Sequence, residues 1–391
     1  MIKKILIILF VIVMIALAFW VYFFLFGNNP VPQNGNVATT TGQLPNSQNN
    51  HNSGNGSTGS VPASLSKKIS SALNAPVSGY WFYKGELYYL DLQGRIFKAS
   101  GNGDDVGISN YQINDILETK TSQTGRFVLV VFRNNLINKF SYFDLEKQKW
   151  DILPEGVVAA DFNPKTNEVA LINESNGKLF LFVKDLEKNK IRQVAKLNFQ
   201  DVNMAWVSQD KILLTEKSST NIKSAVWSYN LKTKTLADEV NSELGLDNKL
   251  FVSSNSSLRF KSNSDAGELA LISNAGSYSS APFLTLPSKC LALSANDILC
   301  AAFKTIPNGL QLPDDYLKRA FYSDDEFDLW NLKDSSFKTI KTNYDKKIDA
   351  EYLKLKDTNL YFVNRYDNKL YSLDLSAEII DLNLATTTAS K

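Results

Sequence analysis

Three features of the sequence predict an all-β protein, a β-propeller of seven four-stranded blades, set behind one transmembrane helix and a polar linker. An Asp or Asn followed by Leu, with an apolar residue six positions after the first, recurs through the chain. The text around each copy is β-branched and aromatic. Successive marks stand 41 to 55 residues apart, close to the ~40–45 residues of a four-stranded blade of the WD40 type.

The chain has 391 residues, 44% of them apolar and 12% aromatic, enough for a sizeable core. Charge divides it sharply. No Asp, Glu, Lys or Arg occurs between Ile5 and Ser66, so apart from Lys3 and Lys4 every charge lies from Lys67 onward. Those two lysines set aside, basic and acidic residues number 40 each, a balance that offers no field for nucleic acid.

Residues 1–4 read as a cytoplasmic stub. Ile5 to Phe26 is an unbroken apolar run of 22 residues, which as a helix reaches about 33 Å and spans a ~30 Å hydrocarbon core. Phe19, Trp20, Tyr22, Phe23 and Phe24 crowd its far end, where aromatic rings favour the interface, and Lys3 and Lys4 mark the near end as inside. The expectation is a single-pass cytoplasmic membrane protein whose remaining chain lies outside. A cleaved signal peptide is the alternative, but its apolar core is normally shorter and no small-x-small cleavage site precedes Asn28.

Residues 27–66 are Asn, Gly, Ser, Thr, Gln and Pro with almost nothing to bury, and are expected to be a disordered linker with a reach of ~35 Å. The single histidine, His51, falls there, and a lone imidazole lacks the partners of a metal site.

Residues 67–384 carry the repeat, and 385–391 read as a flexible tail. The marks are Asp91-Leu92 with Phe97, Asp144-Leu145 with Trp150, Asp185-Leu186 with Ile191, Asn230-Leu231 with Leu236, Asn331-Leu332 with Phe337 and Asp374-Leu375 with Ile380. A degenerate copy, Thr285-Leu286 with Leu291, fills the one large gap and brings the count to seven, with six or eight blades as the alternatives. Each mark follows strand-forming text such as Phe140-Ser-Tyr-Phe143 or Lys178-Leu-Phe-Leu-Phe182. The Asp or Asn is expected to cap a tight turn, the Leu to anchor it inward, and the apolar sixth residue to return to the core. Upstream, all-apolar runs such as Val128 to Val131, Val169 to Ile172 and Leu360 to Val363 read as buried inner strands.

Pro76-Val77-Ser78-Gly79, Gly94-Arg95-Ile96-Phe97 and Ile108-Ser109-Asn110 resemble the opening of a group of uncharacterised, membrane-anchored WD40-like propeller proteins of ultrasmall bacteria. Cys290, Cys300, Pro307, Pro313-Asp314-Asp315-Tyr316 and Asp328-Leu329-Trp330 resemble a later motif of that group. More distantly the repeats are similar to those of TolB-like propellers. The resemblance implies a propeller on a membrane anchor and brings no established activity.

Function classes narrow by residue type. With no histidine after His51, the repeat region holds no Ser-His-Asp or Cys-His nucleophile, no His-based zinc site and no histidine general base. No phosphate-binding loop motif appears, and no cofactor or metal is called for. Asp104-Asp105 after Gly101-Asn102-Gly103 suggests a turn in preference to calcium, which needs six or more oxygens. Cys290 and Cys300 flank a hairpin in which they fall opposite each other, and a location outside the membrane permits a disulfide; two reduced, buried cysteines are the alternative.

The longest break in the repeat, Lys304 to Glu326, is the candidate binding site. Pro313, Asp314 and Asp315 are suited to opening a short helix, after which Tyr316, Arg319 and Tyr322 present a binding surface. The other reading is a blade-capping helix with Tyr316 and Ala320 packed inward. A second loop, Ser273 to Ala281, is expected on the same face. The function expected is non-enzymatic: a scaffold outside the membrane recognising a cell-envelope protein or glycan. A carboxylate-dependent, glycosidase-like hydrolase drawing on Asp314, Asp315, Asp324, Asp325, Glu326 or Asp328 is one alternative, and a purely structural spacer is another.

Overall fold

Lys67–Tyr83 forms one strand, β1, that serves two sets of partners. On one edge its second half pairs antiparallel with β2 (Glu86–Asp91), from Val77 opposite Asp91 to Tyr83 opposite Glu86, and β3 (Ile96–Lys98) and β4 (Val106–Ser109) follow outward. On the other edge its first half pairs with a strand near the end of the chain, Ile69 opposite Leu373. The computed structural model describes residues 67–381 except 102, 200, 252–255, 264–265 and 274–275. The expected transmembrane helix, linker, His51 and tail lie outside the described residues.

Five antiparallel four-stranded sheets follow in chain order. They are β5–β8 (Ile116–Thr121, Phe127–Asn134, Ile137–Asp144, Lys149–Ile152) and β9–β12 (Val157–Phe162, Glu168–Ser175, Lys178–Asp185, Lys190–Leu197). Next come β13–β16 (Val202–Ser208, Lys211–Glu216, Lys223–Asn230, Thr235–Leu244) and β17–β20 (Asp247–Phe251, Ser256–Lys261, Glu268–Ser273, Tyr278–Ser280). The fifth is β21–β24 (Cys290–Ala292, Asp297–Phe303, Asp325–Asn331, Phe337–Ile340). After the short β25 (Thr342–Asn343), strands β26 (Ala350–Lys356), β27 (Asn359–Asn364) and β28 (Lys369–Asp374) take the first half of β1 as their fourth member. The fold is a β-propeller, and β1 zips its first and last repeats together.

Antiparallel order gives the propeller two faces. Connections from second to third strands, and crossings between sheets, emerge on one, the crossover face; the remaining tight turns emerge on the other, the turn face. Apolar clusters fill the spaces between sheets. Trp81, Leu90 and Ile96 meet Val128, Val130 and Phe143, while Phe127, Leu129 and Val131 on the opposite side of β6 meet Phe162, Val169 and Leu171. A second strand such as β6 is therefore buried on both sides, which is why its sequence runs apolar without alternation. Each such Val, Leu or Phe stabilises the fold by about 1.5–3 kcal/mol relative to exposure.

The first strand of each sheet has a free inner edge, and in four of them a lysine donates to a carbonyl there. Lys120 donates to the Ala160 carbonyl (3.1 Å), Lys249 to Cys290 (2.7 Å), Lys289 to Ala350 (3.0 Å) and Lys354 to Tyr80 (3.2 Å). Every one reaches from its own sheet to the first strand of the next. Unmet, these buried carbonyls would carry a desolvation penalty of about 1–3 kcal/mol each.

The turn marks divide into two kinds. At Asp144, Asp185, Asn230 and Asn331 the side chain accepts hydrogen bonds from the backbone N–H groups two and three residues on, between 2.9 and 3.4 Å. The residue four places on is left-handed in each: Gln148, Asn189, Lys234 and Ser335. These turns join third to fourth strands. Asp91 caps a second-to-third connection instead, and Thr285 lies on the crossing from β20 to β21, where its hydroxyl donates to the Ala301 carbonyl at 2.6 Å. Thr285-Leu286 is thus no strand-end turn; the equivalent turn of that sheet follows Ser273.

The sixth residue of the mark also departs from expectation. Phe97, on a third strand, is partly buried, as is Trp150, which packs on Phe143 and Tyr111; Ile191, Leu236 and Phe337 are about half exposed on outermost strands that no further sheet covers.

Candidate functional site

The break in the repeat emerges on the crossover face between β22 and β23 and is pinned at both ends. Its helix, α1 (Asp314–Leu317), opens on the predicted Asp pair. Asp314 accepts from the Thr220 backbone N–H (2.8 Å) and pairs with Lys318 (2.8 Å); these contacts, burial notwithstanding, hold its carboxyl below the usual range. Asp315 accepts from the Gln311 N–H at 2.8 Å. The Leu312 carbonyl accepts from the hydroxyls of Thr220 (3.0 Å) and Ser262. This end is laid over the β14–β15 and β18–β19 connections.

At the other end Tyr316 turns inward onto a buried charge cluster. Its hydroxyl donates to Asp349 Oδ1 (3.1 Å) and accepts from Lys289 Nζ (3.2 Å). Lys289 also pairs with Asp325 (2.8 Å) and Asp349 (2.7 Å), and Arg365 pairs with the second oxygen of Asp349 at 2.9 Å. The Arg365 guanidinium lies 4.0 Å from the Tyr316 ring centre and 4.7 Å from that of Tyr322. Burial pulls the Lys289 ammonium down, yet the carboxylates of Asp325 and Asp349 outweigh it and hold Lys289 charged. Burial raises the Asp325 carboxyl. Glu351 adds a third carboxylate 3.7 Å from Arg365, and the cluster clamps the insertion to β26 and the β27–β28 turn.

Of the predicted binding residues, then, Tyr316 is buried and structural, and Asp314 and Asp315 are engaged in holding the loop. Arg319 is exposed, its guanidinium 3.9 Å from Glu351, and Tyr322 is half-buried against Tyr366. Ala320 is exposed, so only the Tyr316 half of the capping-helix reading matches the packing. The Ser273 to Ala281 connection joins third and fourth strands and falls on the turn face, opposite the insertion. Lys289, Asp349 and Arg365 carry no sequence signal, since nothing periodic connects them.

Cys290 and Cys300 sit opposite each other in the β21–β22 register and are bonded, with an S–S distance of 2.11 Å. The carboxylates weighed for catalysis have separate engagements: Asp324 with Lys304, Asp325 with Lys289, Asp328 with the Thr339 hydroxyl. Asp105 accepts from the Tyr89 hydroxyl and the Ser100 N–H, as a turn residue does. Among the described residues no group of three or more His, Cys, Asp or Glu side chains is placed to hold a metal ion, and no helix is long and apolar enough to cross a membrane.

Exposed apolar residues are unevenly shared between the faces. Of the 17 large hydrophobics exposed among the described residues, twelve lie at crossover-face ends or connections, Leu136, Ile137, Ile222 and Leu317 among the most exposed. Five, namely Val106, Ile191, Leu236, Tyr278 and Phe337, lie toward the turn face.

Comparison with solved structures agrees with this architecture. The chain is similar to an oligogalacturonate lyase of Vibrio parahaemolyticus (TM-score 0.52, 9% identity, 80% of this chain and 98% of that one). It is likewise similar to the β-propeller domain of Cps50 (Swd1) from Myceliophteria thermophila (0.51, 10%, 79% and 100%). The likeness is one of fold. A third neighbour, the tricorn protease, aligns at TM-score 0.51 and 12% identity over 83% of this chain, which spans only 35% of that protein. No protein-family model and no curated protein matches the sequence.

Proposed function

We propose that this protein is a non-enzymatic binding scaffold: a seven-bladed propeller, counting the two sets that share β1, held outside the cell membrane by residues 5–26. Its partner is an envelope protein engaged through the crossover face. The observation that carries this reading is the concentration of exposed apolar side chains there, twelve of 17, beside an insertion clamped by buried charges. Scattered exposed apolar residues are ordinary, but their gathering on one face marks an interaction surface. The charge-balanced repeat region, with no histidine, favours binding over acid–base chemistry.

Site-specific photo-crosslinking in intact cells tests this. A benzophenone side chain at Leu136 or Leu317 is expected to capture a discrete protein, and one at Ile191 or Leu236 to capture none. Capture from the turn face alone, or from neither, sinks the proposal.

A further inference from the structure

Six spaces between neighbouring four-strand sets hold buried apolar clusters drawn from both sides; between β13–β16 and β17–β20 the cluster of described buried residues comes from one side. Its buried cluster, Val207, Leu213, Val226, Val240 and Leu246, contains no described residue of β17–β20. On β18 the alternation explains why: Leu258 and Phe260 face Ile298 and Trp330 of the following sheet, which turns Ser257 and Arg259 toward Leu213 and Val240. A cleft of about 240 Å³ remains between the two sheets, lined by apolar Leu213, Val240 and Ile272 and by polar Asn248, Ser257 and Arg259.

Polar atoms at this cleft are buried without partners. Of the lining residues, Arg259 Nε and Asn248 Oδ1 have none, although the two residues stand directly opposite in the β17–β18 register. Such groups are satisfied in the great majority of native interiors, by protein, by water or by ligand. Here they offer one donor and one acceptor to the cleft. The formal charges nearby are already paired, Arg259 with Glu243 and Lys211 with Glu239 at 2.6 Å, so a ligand's net charge finds nothing to balance it. The Lys211–Glu239 pair is about one-third exposed, and Lys211, Ser273 and Gly276 sit at the turn-face end, which makes that end the mouth.

We propose that the cleft binds a single neutral sugar ring. Vicinal hydroxyls both donate and accept, matching Asn248 Oδ1 and Arg259 Nε together, and the wall of Leu213, Val240 and Ile272 receives the C–H face of the ring. The space is below the roughly 300–1,000 Å³ of drug-sized pockets, which selects one ring over an oligosaccharide. The cleft opens at the turn-face end, and sugar binding and protein capture are read in separate experiments, so failure of the one leaves the other result untouched.

The test is ligand-detected saturation-transfer NMR on the full chain in phospholipid nanodiscs. The neutral probes are D-glucose, D-galactose and N-acetyl-D-glucosamine; D-glucuronate and D-glucosamine are the charged ones. At least one neutral sugar is expected to give transfer, and Asn248→Leu or Ser257→Leu to reduce it roughly tenfold, since each removes polar complementarity or fills the cleft. Ser257→Leu meets Leu213 and Val240 and is expected to leave unfolding cooperative. Transfer from no neutral sugar, meaning a cleft holding water only, overturns the proposal. So does stronger transfer from either charged probe, or transfer unchanged in both folded variants. Should neither variant fold, hydrogen exchange of the unaltered chain decides: sugar must protect β17–β19, and protection elsewhere overturns the assignment.

Discussion

Lys289 and Asp349 lie 2.7 Å apart with side chains 1% and 0% exposed, an ion pair withdrawn from water 60 residues apart in sequence. Because Asp349 also holds Arg365, and Lys289 also holds Asp325, removing one member leaves charge uncompensated. Lys289→Met is expected to destabilise by about 3–5 kcal/mol, whereas Tyr316→Phe, which loses one hydroxyl, should cost about 1 kcal/mol. Urea unfolding of the three proteins checks both; equal midpoints would show the cluster to be energetically idle.

The disulfide closes a short loop, with ten positions separating Cys290 from Cys300. By loop entropy, opening it is expected to lower stability by roughly 2–3 kcal/mol. The unfolding midpoint with and without reductant measures this, and thiol titration of unreduced, denatured protein should find no free cysteine.

Lys354 supplies a pH dependence. Burial lowers its ammonium to about 8 from the ordinary 10.5. Between those values the unfolded chain holds the proton more tightly than the folded one, so this residue's contribution to stability rises as pH rises from about 8 to about 10.5. Lys354→Met removes that contribution. The difference in unfolding free energy between unaltered protein and variant should therefore change across this window, in the direction of a relative gain for the unaltered protein, and a constant difference would contradict it.

Gly125 turns between β5 and β6 at φ +76°, and a Cβ there would stand 1.9 Å from the Phe82 carbonyl oxygen. Gly101 has a similar φ of +74° and open space around it. Gly125→Ala should lose about 1–3 kcal/mol from backbone conformation and more from the clash, Gly101→Ala the first part alone. Comparing their melting temperatures isolates the close approach.

Much of this architecture could be seen before any coordinates. Asp144 and Asn230 could be recognised as turn caps because a side-chain oxygen reaches backbone N–H groups two or three residues ahead, an interaction contained in a few residues of text. The Cys290 and Cys300 register was visible for the same reason. The burial of the sixth residue misled because period and apolarity do not say whether another sheet covers the strand: Phe97 and Ile191 look alike in sequence and differ in what lies beyond them.

Local chemistry alone settled the strands and most of the capped turns, since alternation and turn capping act over two to six residues. Packing between sheets decided the rest. Lysines 120, 249, 289 and 354 find carbonyls on strands remote in the chain, Tyr316 turns from a surface candidate into part of a buried clamp, and Arg259 faces a polar cleft. Those outcomes depend on which surfaces meet once β1 joins the two ends, and on the need of buried charges and free carbonyls for partners, which no period in the sequence encodes.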